Sequence, residues 1–240
     1  MNIRPFIVIN GKNSQSIQGL LISELAPISK PPIRTRIETV DGRDGDIVTT
    51  LGYEAYDKVI KIGLANNYNV DDVIDYFNSS GVVSFSNEPD KYYRFAIYNQ
   101  IDFERLIRFK TAEVTFHVQP FKFSDSEGTK KFTFDSVTSG SLNIRNNGNI
   151  YSRPTIAISG SGDINISLNG AQILTLNLGN PPQKIIIDSE KMNAYSEDGI
   201  LLNRLIVGDY DNIKLNVGQN TISFTGSVSE IDINLYSRWI

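Results

Sequence analysis

Apolar and polar residues alternate along short stretches of this chain far more often than they recur at helical spacing. Ile33, Thr35, Ile37 and Thr39 alternate with Arg34, Arg36 and Glu38, the period-2 pattern of a half-buried strand. Tyr56–Leu64 repeats it. Pro5–Ile9 and Ile17–Leu25 read as earlier strands, with a turn at Asn10-Gly11. Val82–Ser86, Tyr92–Ile101, Leu106–Thr111 and Ala112–Phe123 read as later ones. Val, Ile, Thr, Tyr and Phe fill these runs, and Gly, Asn, Asp, Ser and Pro break them.

A single segment carries helical spacing. Val70, Val73, Ile74 and Phe77 follow the i, i+3, i+4, i+7 stripe of an amphipathic helix. Asn69 precedes them as N-cap, and Asp71 and Asp72 complement the helix dipole. The pattern predicts a helix over Val70–Ser79, with Gly81 suited to its C-cap. The stripe is read as core packing.

Past Phe123 the segment SDSEGTKK loses all periodicity, and the domain boundary is placed there. Residues 1–124 carry 14 basic and 15 acidic side chains, and residues 125–240 carry 9 and 12. The first part holds the helix, most aromatics and most Arg. The second is rich in Asn, Ser, Gly and Ile, with turns expected at Asn147-Gly148, Gly160–Asp163, Asn169-Gly170, Asn180–Pro182, Asp198-Gly199 and Gly218–Asn220. Turns roughly every ten residues between short strands suggest a β-sandwich. The chain is expected to be mainly β in both domains.

The charge balance narrows the function. Net charge is −4, which argues against holding nucleic acid as the main role. There are no cysteines, so disulfides and thiolate metal sites are out. The N-terminal run Met1–Asn10 is too short for a signal peptide and contains Pro5, and no apolar stretch reaches 18 residues. No membrane partner is expected.

Candidate chemistry is sparse. His117 is the only histidine and lies in an alternating strand. With no Cys beside it, zinc sites of the usual ligand types are not expected. No G-x-S-x-G elbow, Walker loop or dinucleotide fingerprint occurs. Asp188, Glu190, Glu197, Asp198, Asp209 and Asp211 fall at strand ends and turns, and are read as solvated loop charges. Asp41, Asp44 and Asp46 lack the ligand spacing of a calcium loop. Arg94, Arg105, Arg108 and Lys110 lie among Tyr92, Tyr93, Phe95, Tyr98, Phe103 and Phe109. That interleaving is one footprint of single-strand binding, but core aromatics with a charged outer or intersubunit face are the simpler reading. No catalytic residue, cofactor or metal is assigned.

The most distinctive stretch is Val40–Tyr53, VDGRDGDIVTTLGY, which follows the Pro-rich approach Ala26–Ile33. Gly42 and Gly45 bracket Arg43 in a tight polar turn, and Arg43 is expected to fold back on Asp41, Asp44 or Asp46. With Phe6–Gly11 (FIVING), this Gly42-Arg43-Asp44-Gly45 turn and the Gly52-Tyr53 pair resemble, in order, the N-terminal signature of the distal tail proteins of siphophages, the Dit family. Tyr92–Ile97, Glu113–Phe123 with its Pro120-Phe121 ending, Asn146–Pro154, Thr155–Ser167, Ile186–Asp188, Tyr195 and Gly218–Ile222 extend the resemblance over nearly the whole chain.

The resemblance implies a β-rich N-terminal domain with one α-helix, assembling head-to-tail into a homo-hexameric ring, and a galectin-like β-sandwich C-terminal domain. The ring would join the major tail (tube) protein and tape-measure protein to the tail-associated tip protein and, as in some relatives, to a receptor-binding protein. Its place would be the distal end of the tail in the virion, after synthesis in the bacterial host cytoplasm. No catalytic residue carries over. Gly42, Arg43, Asp44, Gly45, Gly52 and Tyr53 are the candidate assembly residues. The alternative is a lectin-like carbohydrate-binding module; a cell-wall hydrolase ranks third, because the residues for it are hard to find.

Overall fold

The computed structural model describes residues 4–65 and 67–240. Met1–Ile3, part of the N-terminal run weighed above, lie outside them. The chain divides into two compact units, Met1–Asp125 with Ile240, and Ser126–Trp239. Both are mainly β.

The first unit contains β1 (Ile7–Ile9), β2 (Lys12–Asn13), β3 (Leu20–Glu24), β4 (Ile33–Thr39), β5 (Asp46–Tyr53), β6 (Tyr56–Leu64), α1 (Val70–Phe77), β7 (Ser80–Phe85), β8 (Lys91–Ala96), α2 (Phe103–Phe109) and β9 (Thr111–Ser124). The main sheet has the order β2-β1-β7-β8-β9-β6-β3, and β4 and β5 form a separate two-stranded ribbon. Long central β9 is flanked by β6, with Asp57 opposite His117 and Ile60 opposite Val114, and by β8. Ile60, Ile62 and Leu64 of β6 meet Val114, Phe116 and Val118 of β9 in one buried core. The Phe116 ring sits at the centre, 5.7 Å from Phe85, 5.2 Å from Phe95 and 6.4 Å from Phe77 of α1.

Helix α1 starts where its cap predicts: the Asn69 side chain accepts from the Asp71 amide at 3.0 Å. It buries Val73, Tyr76 and Phe77. The Tyr76 hydroxyl is 3.1 Å from the carbonyls of both Ile7 and Lys12. Gly81 does not cap it. Asn78 does, and Gly81 lies inside β7 at φ +135°, where a Cβ would strike the Asn10 side chain. That side chain donates to Ser80 O at 3.0 Å and accepts from Val82 N at 2.9 Å, so the Asn10-Gly11 turn is clamped to β7.

A second helix replaces the strand expected at Leu106–Thr111. Asp102 accepts from Arg105 N at 2.8 Å and opens α2, while Lys110 closes it at φ +57°. Phe103 and Leu106 are turned toward the sheet, and only Leu106 is fully buried. The strand expected to reach Ile101 ends at Ala96.

The second unit contains β10 (Lys130–Asn146), β11 (Thr155–Leu168), β12 (Ala171–Asn177), β13 (Gln183–Asp188), β14 (Asn193–Tyr195), β15 (Ile206–Gly208) and β16 (Gly218–Asn234). Its backbone order is β10-β16-β11-β12-β15, with β13 on β11 and β14 on β13. One hydrogen-bonded sheet therefore curls around one core, in which Ile158, Ile166, Ile185, Phe224 and Ile231 are buried. Gly160–Asp163, expected as a turn, lies within β11, where the register against β16 shifts between Ser161 and Asn165. Bulges and turns draw on the same residue types. A further shift leaves Ser229 with no residue opposite it on β11, its hydroxyl donating to Ser159 O at 3.2 Å, and the buried set of β16 changes from Ile222, Phe224 and Val228 to Ile231 and Ile233. One extra residue exchanges the two faces of a strand.

Candidate assembly surface

The ribbon β4–β5 holds all six candidate residues, at its two ends. Gly42, Arg43, Asp44 and Gly45 form the tip, and Gly52 and Tyr53 the base. The strands pair from Ile33–Tyr53 to Thr39–Asp46, with an irregularity that leaves Leu51 unpaired. Gly42 and Gly45 lie at φ +82° and +76°, the left-handed region the tip demands. The expected Arg43 ion pair does not form among the described residues. The tip is closed by Arg43 N donating to Val40 O at 3.1 Å, and by Thr39 Oγ1 donating to Asp46 Oδ1 at 2.9 Å. Backbone closure leaves Arg43 facing solvent.

The ribbon's alternation does not mark a half-buried strand, because both faces are open. Ile37 is 62% and Val48 60% exposed, and the two are cross-strand partners on one face. Leu51 adds a third exposed apolar side chain. An isolated two-stranded ribbon is marginal in water, and among the described residues of the first unit nothing covers this one's exposed apolar side chains.

Its root, by contrast, is pinned. Tyr53 meets the Phe121 ring edge-on at 5.4 Å. Glu54 N donates to Pro32 O at 2.9 Å. Upstream, the carbonyl of Ala26 accepts from Asn87 Nδ2 at 3.1 Å and that of Pro27 from Lys58 Nζ at 3.0 Å. Lys58 is buried on the core side of β6, its ammonium 5.0 Å from the Tyr93 ring and 5.5 Å from the Phe85 ring. Desolvation lowers its pKa, and the nearby Glu88 carboxylate opposes that shift. Glu88 in turn accepts from Tyr93 Oη at 2.7 Å and Lys122 Nζ at 2.9 Å. Sequence reasoning passed over Lys58, although its place in phase with Ile60 and Ile62 already put it on the inner face.

The α2 side of the sheet carries a second open surface. Phe109 is 66% exposed and Ile107 is exposed beside it. Arg108 lies over the Phe109 ring at 5.6 Å, and Lys110 sits 4.1 Å from the Tyr68 ring. An open groove of about 680 Å³ runs along this helix.

Most of the groups weighed for chemistry have other partners, and Asp198 stands exposed in a turn. His117 Nδ1 is 2.8 Å from Asp57 Oδ1 across β6 and β9. Asp188 accepts from the amides of Glu190 and Lys191. Asp209 caps the Asp211 amide, and Asp211 binds Arg153 and Lys214 at 2.5 Å each. Glu190 is 3.3 Å from Arg238 and Glu197 is 3.7 Å from Lys184. Arg94 stacks on Phe123 at 4.6 Å.

No protein-family model matches the chain, and no curated protein does. Solved structures do. The chain is similar to the Dit protein of phage SPP1, described as a paradigm of the hub adsorption apparatus in phages infecting Gram-positive bacteria. The TM-score is 0.67 at 17% identity, over 96% of this chain and 98% of that one. It is also similar to a chain of the phage P2 baseplate in its activated conformation with Ca, with TM-score 0.51 at 10% identity over 96% of each. At these identities the likeness is one of fold, and from end to end this chain has the fold of a phage distal tail hub protein.

Proposed function

We propose that this chain is a distal tail protein, the structural hub of a siphophage tail tip. The observation that carries this reading is the whole-length likeness in fold to a hub protein, with both units included. In this reading the first unit builds a homo-hexameric ring by head-to-tail contacts, which close when the rotation per subunit permits. The exposed ribbon is a natural part of such a contact, because a second copy can cover what its own unit leaves bare.

The ring joins the tail tube and tape-measure proteins to the tip protein at the distal end of the virion tail. The second unit, a galectin-like domain on this reading, offers a docking place for a receptor-binding protein. The role is structural rather than catalytic. A net charge of −4 suits a channel that lets DNA pass without holding it.

The test is the mass of the purified chain over a wide concentration range, with negative-stain images of the same samples. A ring near six times the 26.8 kDa subunit supports the hub reading. A persistent monomer that binds glycans on an array overturns it in favour of the lectin-like module.

A further inference from the structure

The ribbon and the α2 surface lie at opposite ends of β9. The ribbon's root touches Phe121, near the end of the strand, whereas α2 runs directly into its first residue, Thr111. Ten residues of strand separate these ends by about 33 Å. β4 and β5 pack chiefly against each other, and neither makes a substantial contact with its own α2.

The two surfaces are chemically matched. Residues 38–46, at the tip, carry the carboxylates of Glu38, Asp41, Asp44 and Asp46 and a single cation, Arg43; Glu38 is paired with Arg36 at 2.6 Å and Asp46 accepts from Thr39, so Asp41 and Asp44 are the acidic groups the tip offers outward. The α2 groove is lined by Asp102, Glu104, Arg105, Arg108, Phe109 and Thr111, with Asp102 engaged as the helix cap and Glu104 3.4 Å from Arg108, and Lys110, bound to the Tyr68 hydroxyl at 2.9 Å, stands at the end of the helix. Beside the acidic tip lie exposed Ile37 and Val48; beside the basic residues lie exposed Ile107 and Phe109. Opposite charge flanking apolar contact favours encounter in one register and penalises the reverse.

We propose that the α2 groove is the seat for the β4–β5 ribbon of a second copy of this chain. The inference rests on the ring reading and names the surface that reading needs. A donor at one end of the subunit and an acceptor at the other make a heterologous contact, which propagates from copy to copy.

The absence of cysteine makes the test clean. Chains carrying Val48→Cys are mixed with chains carrying Phe109→Cys, at the highest soluble concentration, and mildly oxidised; Val82→Cys, exposed on β7, replaces Phe109→Cys as control. The 48–109 disulfide is expected to exceed the 48–82 product by about tenfold, the ratio that a preference of about 1.4 kcal/mol produces. Arg105→Glu with Arg108→Glu, in the chain bearing Phe109→Cys, is expected to abolish that excess. Asp41→Arg with Asp44→Arg in the chain bearing Val48→Cys is expected to restore it, which a misfolded variant would not allow.

The mass of the unmodified chain is measured alongside. Rings without a preferred 48–109 product overturn the seat and leave the hub reading standing. A preferred 48–109 product in oligomers of another size upholds the seat and removes the hexamer. A monomer with no cross-link preference overturns the seat, and the hub reading falls with it only if that monomer also binds glycans.

Discussion

Lys58 places its ammonium 3.0 Å from the carbonyl oxygen of Pro27 while only 2% exposed. A cation is held in the core of the first unit to fix one peptide of the segment that leads into the ribbon. Burial of that charge costs stability, and the hydrogen bond and neighbouring rings offset part of the cost. Lys58→Met keeps the volume and removes the charge, so it is expected to change stability by less than about 1.5 kcal/mol. Lys58→Ala also opens a cavity and is expected to cost about 2–4 kcal/mol. Denaturant unfolding of both variants checks the order; Met as costly as Ala would mean that the charge itself is indispensable.

Burial raises the pKa of the Tyr76 hydroxyl, and burial with the adjacent Glu88 carboxylate raises that of Tyr93. A folded pKa above the unfolded value of about 10 means that the native state keeps its proton longer. The stability so contributed is complete below pH 10 and is lost as pH climbs beyond it. Lys58, shifted downward, acts in the opposite sense: the unfolded chain binds its proton more tightly, so stability rises slightly as pH approaches 10. Melting temperature is therefore expected to hold or rise to about pH 10 and then fall steeply. Tyr76→Phe is expected to lower stability by about 1 kcal/mol at pH 7 and to soften the alkaline fall. An unchanged alkaline limb would refute the assignment.

Two glycines with positive φ are expected to respond very differently. Gly226 in β16 lies at φ +112°, and a Cβ there would overlap the Asp163 carbonyl and come within 2.9 Å of Ile164 Cα. Both neighbours are backbone, so Gly226→Ala is expected to cost more than about 2 kcal/mol. Denaturant unfolding followed by circular dichroism measures that cost. Gly45, at φ +76°, has open space around its Cα. Gly45→Ala is expected to cost about 1 kcal/mol within the ribbon and to leave the main melting transition in place. Equal effects at the two sites would contradict this account.

Arg43 stands at an exposed tip that closes without its side chain. Arg43→Ala is expected to leave the melting temperature within about 1 °C, as surface changes away from packed features do. On the ring reading it weakens assembly instead. Sizing and thermal melts of one preparation separate the two effects, and full rings at unchanged concentration would remove Arg43 from the contact.

The elements most legible in the sequence were those whose signal is local. Tyr56–Leu64 alternates and is a strand with those bounds, and Asn69 caps α1 as its side chain suggests. The second helix was hidden because Phe103, Ile107 and Phe109 favour strands as side chains, although the three-residue spacing of Phe103, Leu106 and Phe109 behind Asp102 was a helical signal. The Gly-Ser-Gly stretch at 160–162 looked like a chain reversal and is a bulge. The ribbon's pattern was read as one buried face, and neither face is buried. Alternation shows that a strand has two chemically distinct sides; what covers a side lies outside the strand. Lys58 was missed for a related reason, since a cation on an inner face becomes meaningful only when its acceptor, 31 residues earlier, is in view.

The pinned root and free tip of the ribbon make it a lever. Seven residues of β4 reach about 23 Å, so a rotation of about ten degrees at the base displaces the tip by about 4 Å. Errors at Pro27, Pro32 or Tyr53 are magnified along its length, whereas errors at Asp41 or Arg43 stay where they arise. The aim of the arm is thus set by side chains that never reach its end. For the aim of the arm, as distinct from what its tip touches, variation in sequence is cheap at the tip and expensive at the pivot, where Lys58 and Asn87 hold the backbone that carries it and Phe121 meets the Tyr53 ring.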